Sequence, residues 1–230
     1  MNKQQSIEII YADESCIVVN KPSGLLSIPD GYEPSTPFLG AILARGFGKV
    51  WIVHRLDRES SGVMVVARTV FAHREINLQF EHRQIQKTYH ALIIGVPDWE
   101  SIDVDIPLRV NGDRKHRTVP SQLTGKPAKT HFSIIKRYAN GCLVEARPQT
   151  GYTHQIRAHL SFLGFPILGD TLYRRPQHPQ YPSGIPVPSS SRTFLHAREI
   201  SFSHPKTKKV VNFIAQYPED FIQAIHDIAH

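Results

Sequence analysis

Residues 54–62 read HRLDRESSG, and they set one short carboxylate, Asp57, between two guanidinium groups, Arg55 and Arg58, with His54 and Glu59 close by in the chain. Apolar, β-type runs flank the stretch, VWIV before it and GVMVVAR after it. Neighbouring opposite charges favour a carboxylate's anionic form. An ionised carboxylate held in a turn between two core strands can act as a nucleophile or as a base. A structural Asp–Arg pair in a solvated β-turn would have the same sequence, so Asp57 alone does not decide between the two.

A second constellation lies at residues 147–170, RPQTGYTHQIRAHLSFLGFPILGD. A Thr-Gly turn leads into a helix start that carries Thr153, His154, Gln155 and Arg157. Helix N-termini bind anions through their open N–H groups. The Arg, His and Gln side chains can donate to a phosphate or to a base edge. By itself this is a nucleic-acid contact.

Other chemistries find little support. The chain has 13 histidines, but His154 and His159 are five apart, on different helix faces, with no acidic residue between them. A helical metal pair with its base would read HExxH, so no metal is expected. No GxxxxGK[ST], GxGxxG or GxSxG occurs, so neither a nucleotide cofactor nor a nucleophile elbow is expected. Cys16 and Cys142 each sit in a strand-like run and read as buried thiols in a reducing compartment. An enzyme of this kind works without metal, ATP or redox cofactor, which makes a carboxylate the first candidate. The net charge of +7 over 230 residues favours a polyanionic partner such as nucleic acid, although a basic surface with no ligand gives the same number. The first residues, MNKQQSIEII, lack a signal-peptide core, and no run approaches the ~20 apolar residues of a membrane span. A cytoplasmic protein is expected.

The elements that must position these residues follow from period and punctuation. IEIIYADESCIVVN predicts two strands around a turn at 12–15, closed by a Lys-Pro-Ser-Gly loop. STPFLGAILARG predicts a short helix with Ser35 or Thr36 as cap, Pro37 in its first turn and Gly46 beyond its end. A second helix follows Thr69, with Ala72, Ile76 and Phe80 on one face. KTHFSIIKRY and GCLVEARP predict a hairpin through 139–141. In THQIRAHLSFLG, Ile156, Leu160 and Leu163 form a helical stripe that Gly164 stops. Two more strands and a last helix complete the chain, with Phe221, Ile222, Ile225 and Ile228 facing inward. The Pro- and Ser-rich segment 174–192 reads as a surface loop, and ordering on RNA is a second possibility for it. Short turns between successive strands suggest antiparallel pairing. The expected fold is α+β, one domain over residues 1–230.

Taken together, six stretches resemble RNA pseudouridine synthases of the large-subunit-rRNA/tRNA branch. They are VVNKPSGLLSIP (18–29), HRLDRESSGVMVVAR (54–68), QIQKTYHALIIG (84–95), TGKPAKTHF (124–132), RPQTGYTHQIRAHLSFLGFPILGDTLY (147–173) and FLHAREISFSHP (194–205). The resemblance implies a catalytic domain with a mixed, mainly antiparallel central sheet flanked by helices and loops. It implies that Asp57 is the catalytic aspartate that attacks or assists at the target uridine's ribose carbon. Tyr89 would stack on the base and relay a proton, and Arg157 would pair with the catalytic carboxylate. Arg55 would enter the RNA stack and help expel the base. His54, Arg58, Tyr152, Thr153, His154 and Gln155 are the remaining expected RNA contacts.

The resemblance further implies an isomerisation with no cofactor and an rRNA or tRNA stem-loop as partner; a monomer is the default expectation. The family's usual TGRTHQIR reads TGYTHQIR here, with Tyr152 in place of a common arginine. The pattern begins by about residue 7, which leaves no room within this sequence for an accessory N-terminal RNA-binding domain. A non-catalytic RNA-binding or ribosome-assembly protein on the same fold is the alternative. A hydrolase pairing Asp57 with Glu59 is a third.

Overall fold

A computed structural model describes residues 7–31, 33–173 and 192–229. The segment expected as a Pro/Ser loop therefore lies outside the described residues, apart from Arg192. The chain divides into two compact units, Met1–Lys87 with His196–Pro218, and Thr88–Leu195 with Glu219–His230.

In the first unit, β1 (Glu8–Ala12) and β2 (Cys16–Lys21) pair antiparallel. The Asp13 carboxylate closes their turn, accepting from the Ser15 and Cys16 N–H groups at 2.8 and 2.9 Å. The short β3 (Trp51–Ile52) and β4 (Ser61–Ala67) are the two runs that flank HRLDRESSG, and they pair with each other. β4 also pairs with β2, and all seven of its residues are buried. β11 (Leu195–Ser203) joins β4 in parallel, His196 opposite Ser61 and Ala197 opposite Gly62. β12 (Val210–Ile214) folds back antiparallel on β11.

The parallel contact accounts for the glycine that ends the motif. Gly62 has φ +119°, and a Cβ there would lie 2.2 Å from the Ala197 carbonyl oxygen. Ladder backbone cannot yield cheaply to such a contact. Gly62→Ala is expected to cost about 1–3 kcal/mol of folding stability, read as a lowered urea midpoint. An unshifted midpoint would show that β4 and β11 approach less closely than this.

Two helices complete the first unit. α1 spans Leu39–Phe47 and is not capped by Ser35 or Thr36. Phe38 stays extended, at φ −134° and ψ 159°, because it bridges to Leu26, whose carbonyl takes the Leu39 N–H at 2.8 Å. Thr36 instead turns back on Glu33. Gly46 lies inside the helix, and Gly48, at φ +72°, ends it. α2 (Val70–Glu81) starts where expected, with the Thr69 hydroxyl accepting from the Ala72 N–H at 3.1 Å.

In the second unit, β5 (Gln86–Ile94), β10 (Gly141–Pro148), β9 (Lys129–Arg137) and β6 (Ser101–Asp105) pair antiparallel in that order. A two-stranded ribbon, β7 (Leu108–Arg109) and β8 (Val119–Pro120), stands apart from them. α3 (Gln155–Phe162) is buried from Gln155 through Ser161, far more than one apolar stripe requires. In α4 (Glu219–Ala229) the inward stripe is Phe221, Ala224 and Ile228. Ile222, expected inside, is 44% exposed, since a 3.6-residue period cannot bring it and Phe221 to one face. The α+β class and the mixed, mainly antiparallel pairing agree with expectation. Cys16 and Cys142 are buried and unpaired, and burial pushes the Cys16 thiol up to about 12. Among the described residues no helix is long and apolar enough to cross a membrane.

Candidate active site

The loop that carries Asp57 is fastened to the Lys-Pro-Ser-Gly loop through main-chain atoms. Ser27 Oγ donates to the Leu56 carbonyl and accepts from the Leu56 N–H, at 2.9 and 3.1 Å. Ser23 Oγ donates to the Glu59 carbonyl at 2.7 Å, and the Gly24 N–H donates to that of Arg58 at 2.7 Å. Lys21 is completely buried, and its ammonium donates to the carbonyls of Pro22, Leu25 and Arg58 at 2.9, 2.8 and 3.4 Å. The Ser60 N–H closes a turn on the Asp57 carbonyl at 3.1 Å. On the β4 side, Ser61 Oγ meets His196 Nδ1 at 2.8 Å. Asp57 thus sits half-buried on a braced loop, with Arg55 and Arg58 exposed on either side. Sequence reasoning assigned no role to Lys21, Ser23, Ser27 or His196. The only available signal was a lysine at the end of a largely apolar strand, since hydroxyl-to-carbonyl partners 29 and 36 residues apart leave no pattern.

His54, expected as an RNA contact, is used internally. Its Nε2 accepts the Val65 N–H at 3.0 Å, and its ring packs on Phe80 with centroids 4.8 Å apart. Burial, with help from the positive charge of Lys87, pushes its pKa down from 6.5 to about 3. In the unfolded chain the ring protonates near 6.5, so the folded state binds fewer protons between the two values. The stability it contributes is complete above pH 6.5 and is lost as pH falls toward 3. His54→Gln is expected to flatten the decline of the urea midpoint between pH 6.5 and 4. His159, lowered in the same direction by burial, keeps part of that slope. A decline identical to that of the unchanged protein would place the acid sensitivity elsewhere.

The THQIR residues belong to the second unit and divide by role. Gln155, expected to face RNA, is 3% exposed and saturated. Its Oε1 accepts from Thr150 Oγ1 and the Tyr152 N–H at 2.7 and 3.2 Å. Its Nε2 donates to the Lys129 carbonyl and Thr130 Oγ1 at 3.1 and 3.0 Å. It braces the turn before α3 and has no polar atom left for RNA, which corrects the expectation. His154 is the N-cap in a left-handed conformation, φ 58° and ψ 18°, a strained position for a residue with a Cβ. Its ring stands edge-on to Tyr173 at 5.8 Å. Thr153 is exposed, and its carbonyl accepts from Thr118 Oγ1 at 2.6 Å. Tyr152 is half-buried.

Arg157 is 5% exposed and grips Asp170 with two parallel bonds, Nε to Oδ2 at 2.6 Å and Nη2 to Oδ1 at 2.9 Å. Asp170 Oδ1 also accepts the Leu172 and Tyr173 N–H groups at 3.0 Å each. The guanidinium lies 5.2 Å from the Tyr173 ring centre. The Tyr173 hydroxyl exchanges bonds with the Thr118 main chain at 2.8 and 3.1 Å, and burial pushes its pKa up to about 12. Asp170 and Tyr173 were the missed residues here, although both lie in the quoted stretch. Tyr89, in β5 opposite Ala146, is half-buried. Asp57, Arg55, Arg58 and His54 therefore belong to the first unit, and Tyr89 with residues 152–157 to the second.

Residues 15–162 match the family model described as RNA pseudouridylate synthase. Over 214 residues the chain is 37% identical to the dual-specificity RNA pseudouridine synthase RluA of Escherichia coli strain K12, with 93% of each chain covered. Over 231 residues it is 36% identical to the ribosomal large subunit pseudouridine synthase D of Zymomonas mobilis, covering 95% of this chain and 72% of that one. Among solved structures, human RNA pseudouridylate synthase domain containing 4 superposes with a TM-score of 0.77 at 27% identity, covering 96% of this chain and 92% of that one.

Proposed function

We propose, for a chain that belongs to the RNA pseudouridylate synthase family and is thereby an isomerase of uridine in RNA, that Asp57, Tyr89 and Arg157 carry the reaction and that residues 1–230 act as one catalytic domain. Asp57 attacks or assists at C1′ of the target ribose. The bond from C1′ to N1 breaks, the uracil turns, and C5 bonds to C1′. The proton on C5 leaves to solvent and N1 gains one, so atoms and electrons balance with no cofactor. Tyr89 stacks on the uracil and relays a proton. Arg157 neutralises the Asp57 carboxylate. Two of its nitrogens are fixed on Asp170, and that grip orients the whole planar guanidinium. Arg55 and Arg58 act on the RNA around the extruded base, a step that costs a few kcal/mol in a duplex and less in a loop. Thr153 and His154 also contact the RNA.

The observation that carries this assignment is the fastening of the Asp57 loop. Four side-chain and main-chain donors hold the carbonyls of residues 56, 58 and 59, so a half-buried carboxylate is offered on a rigid support. The substrate in this reading is a stem-loop of rRNA or tRNA, met by a monomer in the cytoplasm. The relative matched over 93% of both chains is a dual-specificity enzyme, which supports testing both RNA classes. The experiment is to treat tRNA and rRNA transcripts separately and to analyse their nucleosides. Pseudouridine in at least one class is the expected result. Its absence from both, with RNA still bound, would overturn the reading.

A further inference from the structure

Three residues before α3, Tyr152 lines a cavity of about 210 Å³ together with Leu108, Arg109, Val110, Thr124 and Lys126. Its walls are backbone-locked. Leu108 and Lys126 exchange both main-chain hydrogen bonds at 2.9 Å, so Arg109 and Val110 leave on one side and Thr124 on the other. The floor is apolar. Leu108 is fully buried with Ala128, Ala158 and Tyr173, and Tyr152 packs half-buried against that cluster. The rim is cationic. Arg109 and Lys126 are exposed, and among the described residues neither has an acidic partner. Arg109 is anchored by donating to the Gly112 carbonyl. The hairpin beyond it is bent back on Asp113, whose carboxylate accepts from Lys115 N, Arg117 N and Arg117 Nε at 3.0, 3.0 and 2.7 Å. Arg114 and Lys115 are thereby left exposed near its tip.

An aromatic floor under a cationic rim suits a nucleotide, whose base stacks while its phosphate takes the charge. An acidic peptide would use the rim and leave the aromatic floor without a purpose. We propose that this cavity takes one unpaired nucleotide of the substrate RNA, its base against Tyr152 and its phosphate between Arg109 and Lys126. The inference rests on the RNA isomerase reading and adds a specificity element to it. Tyr152 supplies the stacking surface, and Arg109 and Lys126 supply the charge that Tyr152 lacks. A nucleotide held inside a duplex cannot stack there, so the cavity selects loops and frayed ends.

Tyr152→Leu keeps an apolar side chain on the floor and removes the π face. It is expected to raise KM about tenfold, with a smaller effect on kcat. Tyr152→Phe should stay within about twofold of the unchanged protein. Arg109→Ala with Lys126→Ala should lower the slope of log affinity against log salt by about 1.4, near 0.7 for each lost single-strand contact. The deciding arm uses the RNA that the unchanged enzyme modifies, with each unpaired nucleotide other than the target made abasic in turn. At one position the missing base should raise KM for the unchanged enzyme and leave Tyr152→Leu indifferent. An unaltered KM in a normally melting Tyr152→Leu, or no position at which the two penalties merge, would overturn the inference while the isomerase reading stood. No pseudouridine from the unchanged enzyme in any RNA would overturn both.

Discussion

Asp57→Asn is expected to fold and to bind RNA as the unchanged protein does, and to turn over at least ~10³-fold more slowly. The substitution keeps shape and volume and removes the charge. The bonds that hold the loop run to the carbonyls of Leu56, Arg58 and Glu59 and to the Leu56 N–H, and Ser60 bonds to the main chain of Asp57. None of these involves the Asp57 carboxylate, so the loop has reason to keep its place. An amide is a poor nucleophile and a poor base, so both roles open to Asp57 are lost together. Single-turnover rates at saturating RNA, with melting and filter-binding on the same preparations, separate this outcome from unfolding. Turnover within tenfold of the unchanged protein would remove Asp57 from the chemistry.

The second large effect is on stability. Asp170→Asn is expected to cost about 3–5 kcal/mol, because it takes from the buried Arg157 guanidinium the carboxylate that grips it through two bonds. Both side chains are almost wholly inside, at 5% and 0% exposure, so solvent cannot take over the lost partner. Asp170 also collects the N–H groups of Leu172 and Tyr173, and a neutral amide accepts them less strongly. In a chain of this length the loss corresponds to a fall of about 10 °C in Tm. Activity should fall as well, since Arg157 loses the grip that orients it. A melting temperature within 2 °C of the unchanged protein would show that the pair contributes orientation and little stability.

The family motifs made the chemistry legible from the sequence, and alternation and punctuation made most of the elements legible. Thr69 caps α2 and the 139–141 turn joins β9 to β10, because both signals are local. The start of α1 departs from its sequence signal, because a bridge from Phe38 to Leu26, a contact between separate segments, outweighs the Ser-Thr-Pro cap. His54 and Gln155 read as RNA contacts in the sequence, because polar residues beside a motif look available. Their partners, Val65 N–H for one and Lys129 and Thr130 for the other, come from other strands. The Asp57 support was hidden for the same reason. A serine that bonds a carbonyl 29 residues away has the same local pattern as any loop serine. Asp170 stood in plain view in the quoted stretch, but nothing in its spacing marked it as the partner of Arg157.

The most direct measurement supplies RNA labelled with tritium at uridine C5 to the unchanged protein and follows two products, tritium in water and free uracil. Joining C5 to the ribose must expel that hydrogen, and the detached base is rejoined without release to solvent. The account predicts tritium in water in a fixed ratio to pseudouridine formed, with no free uracil. Free uracil that retains its tritium would contradict it and would make Asp57 a hydrolase's carboxylate.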